Sequence, residues 1–403
     1  MVTTSGYEVE RIEISSLTPQ QRNEWDTLHG RQTGVSNPFT SSDWVLEWYR
    51  SYVPEPARQH LLWIRDTNGA LAGVAPFYEQ TVGPRRLPVG RRLVLVGYGL
   101  GTALELPQVL TTTADARAVH QAVVRWTRDA GADWSEVSIA RDQAWFEPGW
   151  VEDTTAEAPH YSHRAARACV VLPLTGTWDE MRGGLKRNLK ESLRRSRNRL
   201  TKSGRSWHVR TLEGSEVDET AVHRFFALHS ARAGFDGTTS SHPDVYADAT
   251  RRDMLVRLVP KLAQAKEASL VELVVDDQVV AVQLALHSAG TSYVHSSGLN
   301  PEYWEFSAVT LLQAELVQAA ITRGDRYVNF SPGPNVAKMR WSETVHVVDD
   351  FAYATGGRTA GLRFLAFSQL SAVKQYRHAV SVARANSPAP KPTPGSGSQG
   401  SPS

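Results

Sequence analysis

A single cysteine, Cys169, stands in a chain of 403 residues. That scarcity excludes an intramolecular disulfide framework and any zinc site built from several thiolates. Long apolar runs are missing as well: nothing approaches the roughly eighteen residues that a membrane helix needs. The opening residues, Met1-Val2-Thr3-Thr4, do not show the basic-then-apolar order of a secretory signal, so a cytoplasmic location with no membrane span is expected. Neither sign of charge is in excess. With 44 Lys and Arg against 42 Asp and Glu the net charge is +2, so any attraction to nucleic acid or anionic membrane must come from a local patch. Absent too are the Gly-x-Ser-x-Gly elbow, the P-loop, His-Glu-x-x-His and the kinase motifs, which points away from hydrolases, nucleotidyl enzymes and metalloproteases.

What is present reads as globular, with 41% hydrophobic and 21% charged residues, and the length favours two domains over one core. The two halves repeat one order of elements. In the first, residues 61–64, a turn at Asp66-Thr67-Asn68-Gly69 and residues 72–78 predict a hairpin; a helix over 116–130, Gly131 and a strand over 136–139 follow. In the second, residues 270–275, a turn at Asp276-Asp277-Gln278 and residues 279–286 predict the same hairpin. A helix over 309–322, Gly324 and a strand over 327–330 complete it, each glycine closing its helix. The expected organisation is a first α/β unit over 1–165 and a second over 166–357, with the boundary in the polar stretch 152–167. Leu362, Leu365, Leu370, Val373, Tyr376 and Val380 then predict an amphipathic helix over 358–386 that packs on its own domain or docks a partner. Residues 387–403, rich in Pro, Ser and Gly, predict a disordered tail.

Several residues could carry chemistry. Over 186–202 eight cations, Arg187 and Arg194 among them, face one acid, Glu191, around a Leu stripe. Such a helix is either a solvated surface or a phosphate reader. A strand through Tyr293 and His295 leads to a helix opening at Phe306-Ser307-Ala308-Val309, where Ser307 is the expected N-cap and the helix start a phosphate site. His295 would be a proton acceptor poised near neutral pH. His229 and Arg232, three apart on a helix, could line an acceptor pocket. The bend Ser331-Pro332-Gly333-Pro334 aims Lys338, Arg340 and Trp341 toward the end of a strand, in which Asn329 would orient backbone. His160 and His163 have no further ligands in register, so no metal is expected. Gly97-Tyr98-Gly99-Leu100-Gly101 reads as a loop, not a dinucleotide fingerprint.

Four ordered segments carry a family resemblance: Asn37-Pro38-Phe39 with Trp44 and Trp48; Leu185-Lys186-Arg187-Asn188 onward to Arg195; Tyr293 to Tyr303; and Asn329-Phe330-Ser331-Pro332-Gly333 with Lys338 to Trp341. Together they resemble the FemAB-like branch of the GNAT acyltransferases, the cellulose-biosynthesis-type or BioF-like acetyltransferases. The resemblance implies a tandem GNAT-like α/β (α+β) fold with mixed sheets flanked by helices, its first unit degenerate and its second catalytic. It implies an N-acyltransferase that moves an acyl group, other than aminoacyl, from a CoA or acyl-carrier-protein thioester to a small-molecule or peptide amine. No cofactor would be tightly bound; acyl-CoA or an acyl phosphopantetheine arm would be co-substrate. Lys338 would then polarise the thioester carbonyl, with His295 or water taking the proton. The helix start at Phe306–Val309, with Arg187 and Arg194, would hold the donor, and Tyr293, Asn329, Arg340, Trp341, His229 and Arg232 the substrate. Asn329 and Ala337 stand where the family has Asp and Tyr, and the glycines of the usual pyrophosphate loop are missing. An aminoacyl-tRNA-dependent transferase and a catalytically dead scaffold are the alternatives.

Overall fold

The computed structural model describes residues 2–4, 6–83, 89–99, 105–141, 160–235, 244–355 and 357–385. The expected tail over 387–403 lies outside the described residues. Among the described residues, seven strands belong to the first half: β1 (Val2–Thr4), β2 (Tyr7–Ile12), β3 (Gln59–Arg65), β4 (Leu71–Val82), β5 (Gly90–Leu95), β6 (Leu110–Thr111) and β7 (Trp134–Ala140). Seven more follow: β8 (Tyr161–Pro173), β9 (Trp207–Leu212), β10 (Ala268–Val275), β11 (Gln278–Ser288), β12 (Thr291–Leu299), β13 (Tyr327–Pro332) and β14 (Val345–Ala354). All join one sheet in the order β1-β2-β3-β4-β5-β7-β14-β8-β13-β12-β11-β10-β9, with β6 on β4.

The repeated order is present in space. The hairpins are β3–β4 and β10–β11, both antiparallel. The tight turn of the second uses Asp276 and Asp277 at φ 48° and 62°, a left-handed conformation that Asp tolerates better than most residues. Helix α3 (Ala116–Asp129) precedes β7, and the corresponding helix of the second half (Ala308–Arg323) precedes β13. The latter ends at Gly324 with φ 85°, where a side chain would be strained.

Residue 165 is no linker position. It lies inside β8, which pairs with both β14 and β13. Strand β14 in turn pairs with β7 of the first half, so the halves meet through β7-β14-β8. Two buried acids staple this seam: Arg141 grips Asp349 with two hydrogen bonds of 2.9 and 2.8 Å, and Arg167 reaches Asp350 at 3.1 Å. The core is shared as well. Trp25, Trp44, Trp48 and Trp63 of the first half are fully buried in one cluster with Phe225, Tyr246 and Tyr293 of the second.

Helices cover both faces. The first half carries α1 (Pro19–Gly30) and α2 (Ser42–Tyr52) besides α3; the second carries α4 (Trp178–Gly184), α5 (Arg187–Lys202), α6 (Glu219–Ala233), α7 (Ala249–Gln264), α8 (Ala308–Arg323) and the single turn α9 (Val336–Met339). The basic helix α5 buries Leu189, Leu193 and Leu200 as its leucine spacing predicts. The last helix, α10 (Arg358–Ala385), forms but turns a different face inward. Ala360 and Phe364 are buried, with Phe364 and Phe367 against Trp134, while Leu362, Leu365, Leu370 and Val373 stay exposed. The aromatic pair outcompetes the aliphatic stripe because Trp134, at the sheet seam, offers it a flat apolar partner.

Candidate active site

Strands β12 and β13 start as a parallel pair, from Thr291 opposite Tyr327 to Tyr293 opposite Asn329. Beyond that point they part. β12 stays with β11 out to Leu299, whereas β13 turns to β8 and places Pro332 opposite Cys169. Both strands carry an irregularity there: Leu284 pairs with Ser296 and Ala285 with Val294, leaving His295 as the extra residue of a bulge. Bulges re-aim side chains and are common beside active sites. A cavity of about 730 Å³ fills the gap between the parted strands.

The β13 wall is built around a strained turn. Ser331 sits at φ 63°, a left-handed conformation that costs a non-glycine residue about 1–2 kcal/mol. Asn329 holds it there, its Oδ1 accepting the Ser331 N–H at 2.9 Å. Lys338 holds it from the other side: its Nζ donates to the carbonyls of Pro332 (2.8 Å) and Ser331 (3.2 Å) and to the Ser331 Oγ (3.3 Å). Asn335 caps α9 and so fixes the lysine's backbone, accepting the Lys338 N–H at 3.0 Å. Lys338 lines the cavity half-buried, and this loss of solvent pulls its ammonium down to about 8.

The start of α8 forms the floor. Ala308 and Val309 line the cavity, and the first turn of an α-helix leaves its N–H groups without intrahelical partners. Ser307 does not cap them as expected. It adopts φ 51°, ψ 39°, and its hydroxyl makes no capping bond, because a left-handed residue cannot fold its side chain over the first turn as an extended N-cap does. The Thr310 N–H turns back to the Ser307 carbonyl at 3.0 Å, so the backbone donors at the cavity are those of Ala308 and Val309, together with the positive end of the helix.

On the β12 side His295 is buried at 2% exposure, wedged 6.1 Å from both the Phe39 and Trp44 rings. Its Nδ1 lies 3.2 Å from the Tyr246 hydroxyl and 3.2 Å from Ser296 Oγ, and its Nε2 has no partner among the described residues. Burial, reinforced by Arg251 and His229, holds its ionisation well below 6.5. The expectation of a histidine poised near neutral pH is corrected: the aromatic cage and two cationic or ionisable neighbours keep it neutral.

His229 and Arg232 of α6 also line the cavity, each within reach of Ser297: His229 Nδ1 is 3.1 Å from its carbonyl, and Arg232 donates to its hydroxyl. No carboxylate is among the described residues that line the cavity. Among the described residues its fixed charge is positive, from Arg232 and Lys338, so it suits an anionic or electron-rich ligand.

Other expected site residues stand elsewhere. Tyr293 lies within the paired part of β12, fully buried under Phe39 with ring centroids 5.0 Å apart, and is core. Phe306 and Trp341 do not line the cavity; Trp341 stacks on Phe330 and donates to Gln313 at 3.1 Å, supporting two residues that do. Asn329 acts one layer back, through Ser331. Arg340 points to α5, donating to the Asn188 carbonyl at 3.0 Å, and feels the like charge of Arg195. Arg187 and Arg194 lie on α5 outside the cavity; Arg187 and Arg195 border a separate open hollow, and Arg194 pairs with Glu191. His160 and His163 join no cluster of metal-binding side chains among the described residues.

Sequence reasoning missed Gln283, Trp304, Thr310, Gln313 and Val245, all of which line the cavity. Gln283 had a signal: one amide in the apolar run 279–286, fully buried, its Nε2 donating to the Ser296 carbonyl at 2.6 Å. The others look like ordinary helix-surface or loop residues.

Residues 187–339, which contain every residue named above as lining the cavity, match the family model described as an acetyltransferase (GNAT) domain. That part of the chain has a GNAT-type fold. Solved structures show a likeness of fold across both halves. The crystal structure of FemX matches with a TM-score of 0.58 at 11% identity, covering 86% of this chain and 97% of FemX. A conserved protein of unknown function from Bacteroides thetaiotaomicron matches with 0.54 at 12%, covering 86% and 100%. The C-terminal domain of a putative lysylphosphatidylglycerol synthetase from Agrobacterium fabrum matches with 0.51 at 11%, covering 87% and 96%. No curated protein matches this chain significantly.

Proposed function

We propose that this chain transfers an activated acyl group to an amine in the cavity between β12 and β13, and that the donor is an aminoacyl-tRNA. The observation that carries the reading is the meeting, on one cavity, of a helix start without a side-chain cap and a half-buried lysine, with no carboxylate among the described residues that line it. The attacking amine adds to the ester carbonyl, the C–N bond forms, the C–O bond to the ribose breaks, and the amine's proton ends on the departing ribose oxygen. Lys338, protonated below its pKa of about 8, stabilises the oxyanion by exchanging a carbonyl of the Ser331–Pro332 turn for the substrate oxygen. The amine's proton passes to the departing ribose oxygen directly or through water, while His295 stays neutral beside it.

Three features favour tRNA over the expected CoA or carrier-protein thioester. The likeness to FemX runs through both halves of the chain, and the FemAB-like resemblance includes aminoacyl-tRNA users. The helix start at Phe306–Val309 lacks the glycines of a pyrophosphate loop. Arg187 and Arg195 on α5, with Lys186 and one acid, Glu191, border a hollow, and Arg340, just past Lys338, reaches the α5 backbone there; this predominantly cationic surface suits a phosphate backbone. A thioester donor is the second reading, favoured by the match of the cavity-bearing residues to an acetyltransferase domain. The acceptor would be a small-molecule or peptide amine.

The experiment is a transfer assay with intact-mass readout on a pool of amine acceptors, supplied in parallel with charged tRNA, acyl-CoA esters and acyl-carrier proteins. The tRNA reading predicts product only with charged tRNA, abolished by RNase and steeply reduced by salt. Product from a thioester that is indifferent to RNase would replace it with the second reading. No product from any donor would support a scaffold.

A further inference from the structure

We infer that the outer face of α10 docks this chain on an anionic lipid surface. The inference is independent of the donor's identity. Three observations bear on it.

The first is what α10 leaves uncovered. Its inner face, Ala360, Phe364 and Phe367, is taken up by the sheet seam at Trp134. Leu362, Leu365 and Val373 are spaced by three and eight residues, which sets them on one face of the helix, away from Phe364. They are 68%, 38% and 49% exposed, and Leu370 beside them 66%. By sequence the stripe continues at Tyr376 and Val380. A helix of 28 residues is about 42 Å long, so the apolar line is extended, not a local knob.

The second is charge. From Phe351 to Ser403 the sequence contains no Asp or Glu at all, although the whole chain is nearly balanced at +2. Arg358, Arg363 and Arg377 are exposed on α10; of these Arg363 also reaches Asp133 at 2.9 Å. An apolar stripe flanked only by cations is the pattern of a helix that lies in the plane of an anionic interface, its arginines reaching the headgroups while its leucines enter the acyl boundary. The same charge opposes pairing with a second copy of α10, which would bring like charges together without any acid to offset them.

The third is the absence of a spanning segment: no helix among the described residues is long and apolar enough to cross a membrane. The α10 face can therefore rest on a bilayer and not thread it.

The test is cosedimentation of the full chain with vesicles of phosphatidylglycerol and phosphatidylcholine in equal parts, against vesicles of phosphatidylcholine alone. The chain is expected to pellet with the anionic vesicles only and to be released by high salt. The variant Leu362→Gln/Leu365→Gln/Val373→Gln changes exposed positions and keeps the fold, checked by its melting temperature. It is expected to lower the partition coefficient by roughly tenfold or more. Lys374→Glu/Arg377→Glu is expected to lower it as well. Absence of cosedimentation at low salt would overturn the inference, and so would binding that the glutamine variant leaves unchanged. A concentration-dependent dimer, seen by analytical ultracentrifugation and lost in the glutamine variant, would assign the face to a second copy and also overturn it.

Discussion

His295 is surrounded by groups that forbid it a charge: the Phe39 and Trp44 rings on one side, Arg251 and His229 on the other. Lys338, by contrast, titrates at about 8, inside the working range. The two dictate the shape of the rate profile. The form of Lys338 that stabilises an oxyanion exists below pH 8 and is lost as pH rises through it, so kcat/KM should fall on the basic side with a midpoint near 8. No acid limb should appear at 6.5, because His295 ionises well below that value. In Lys338→Arg the basic limb should disappear; the acceptor amine's own titration is common to both proteins and cancels in the ratio. A limb at 8 that persists in the arginine variant would show that Lys338 is not the titrating group. At this scale the sequence was informative where a residue's neighbours in the chain are also its neighbours in the site. The bend before Lys338 and the helix start near Ser307 are such cases. Tyr293 and Trp341 stand in the same segments yet are packed away, because strand pairing under Phe39 and stacking on Phe330 are decided by residues far off in sequence.

At the scale of elements, the cavity exists because β12 leans on α6 while β13 leans on β8. Gly298 makes the first contact close: a Cβ there would come 2.6 Å from the His229 backbone nitrogen and 2.6 Å from the Leu228 Cβ. Gly298→Ala should therefore push α6 off the strand and cost about 1–3 kcal/mol, measured by urea unfolding. It should raise KM more than it lowers kcat, since His229 and Arg232 ride on α6 while Lys338 does not. An alanine variant with unchanged stability would mean that the helix yields freely. Both hairpins, the two glycine-closed helices and the basic helix were legible from spacing alone. The orientation of α10 was not. Periodicity reveals that a helix has an apolar stripe, but α10 has two, and only the sheet seam decides which one it covers.

The whole molecule behaves as one body in which neither half closes its own sheet. Strand β14 fills the place between β7 and β8, and Phe39 packs against Tyr293 across the divide. Residues 166–357 expressed alone should therefore fail to give a cooperative unfolding transition, although they contain the whole matched domain. Phe39→Ala in the full chain should cost about 3–5 kcal/mol. A stable, cooperative fragment would show the halves to be separable. The duplicated order suggested two units side by side; the shared sheet was hidden because nothing in a strand's sequence names its partner. Acid stability follows from the same burial. His29, His60, His120, His287 and His295 are all held below 6.5 by loss of solvent, with His60 and His120 at about 4 and His287 at about 3. The unfolded chain binds protons at these sites from pH 6.5 downward and the native chain does not, so stability is lost as pH falls through that range. Each contributes up to about 1.4 kcal/mol per pH unit, and the urea midpoint should drop steeply between neutrality and pH 5. A flat profile would contradict the neutral, buried state of these rings.

The central claim is that acyl transfer takes place beside Lys338, where the two strands part. The most direct measurement is the single-turnover rate at saturating donor for the wild-type chain and for Lys338→Met. A fall of roughly a hundredfold or more, with donor affinity little changed and the native fold retained by circular dichroism, is the predicted result. Equal rates in the two proteins would contradict the claim and move the chemistry away from this cavity.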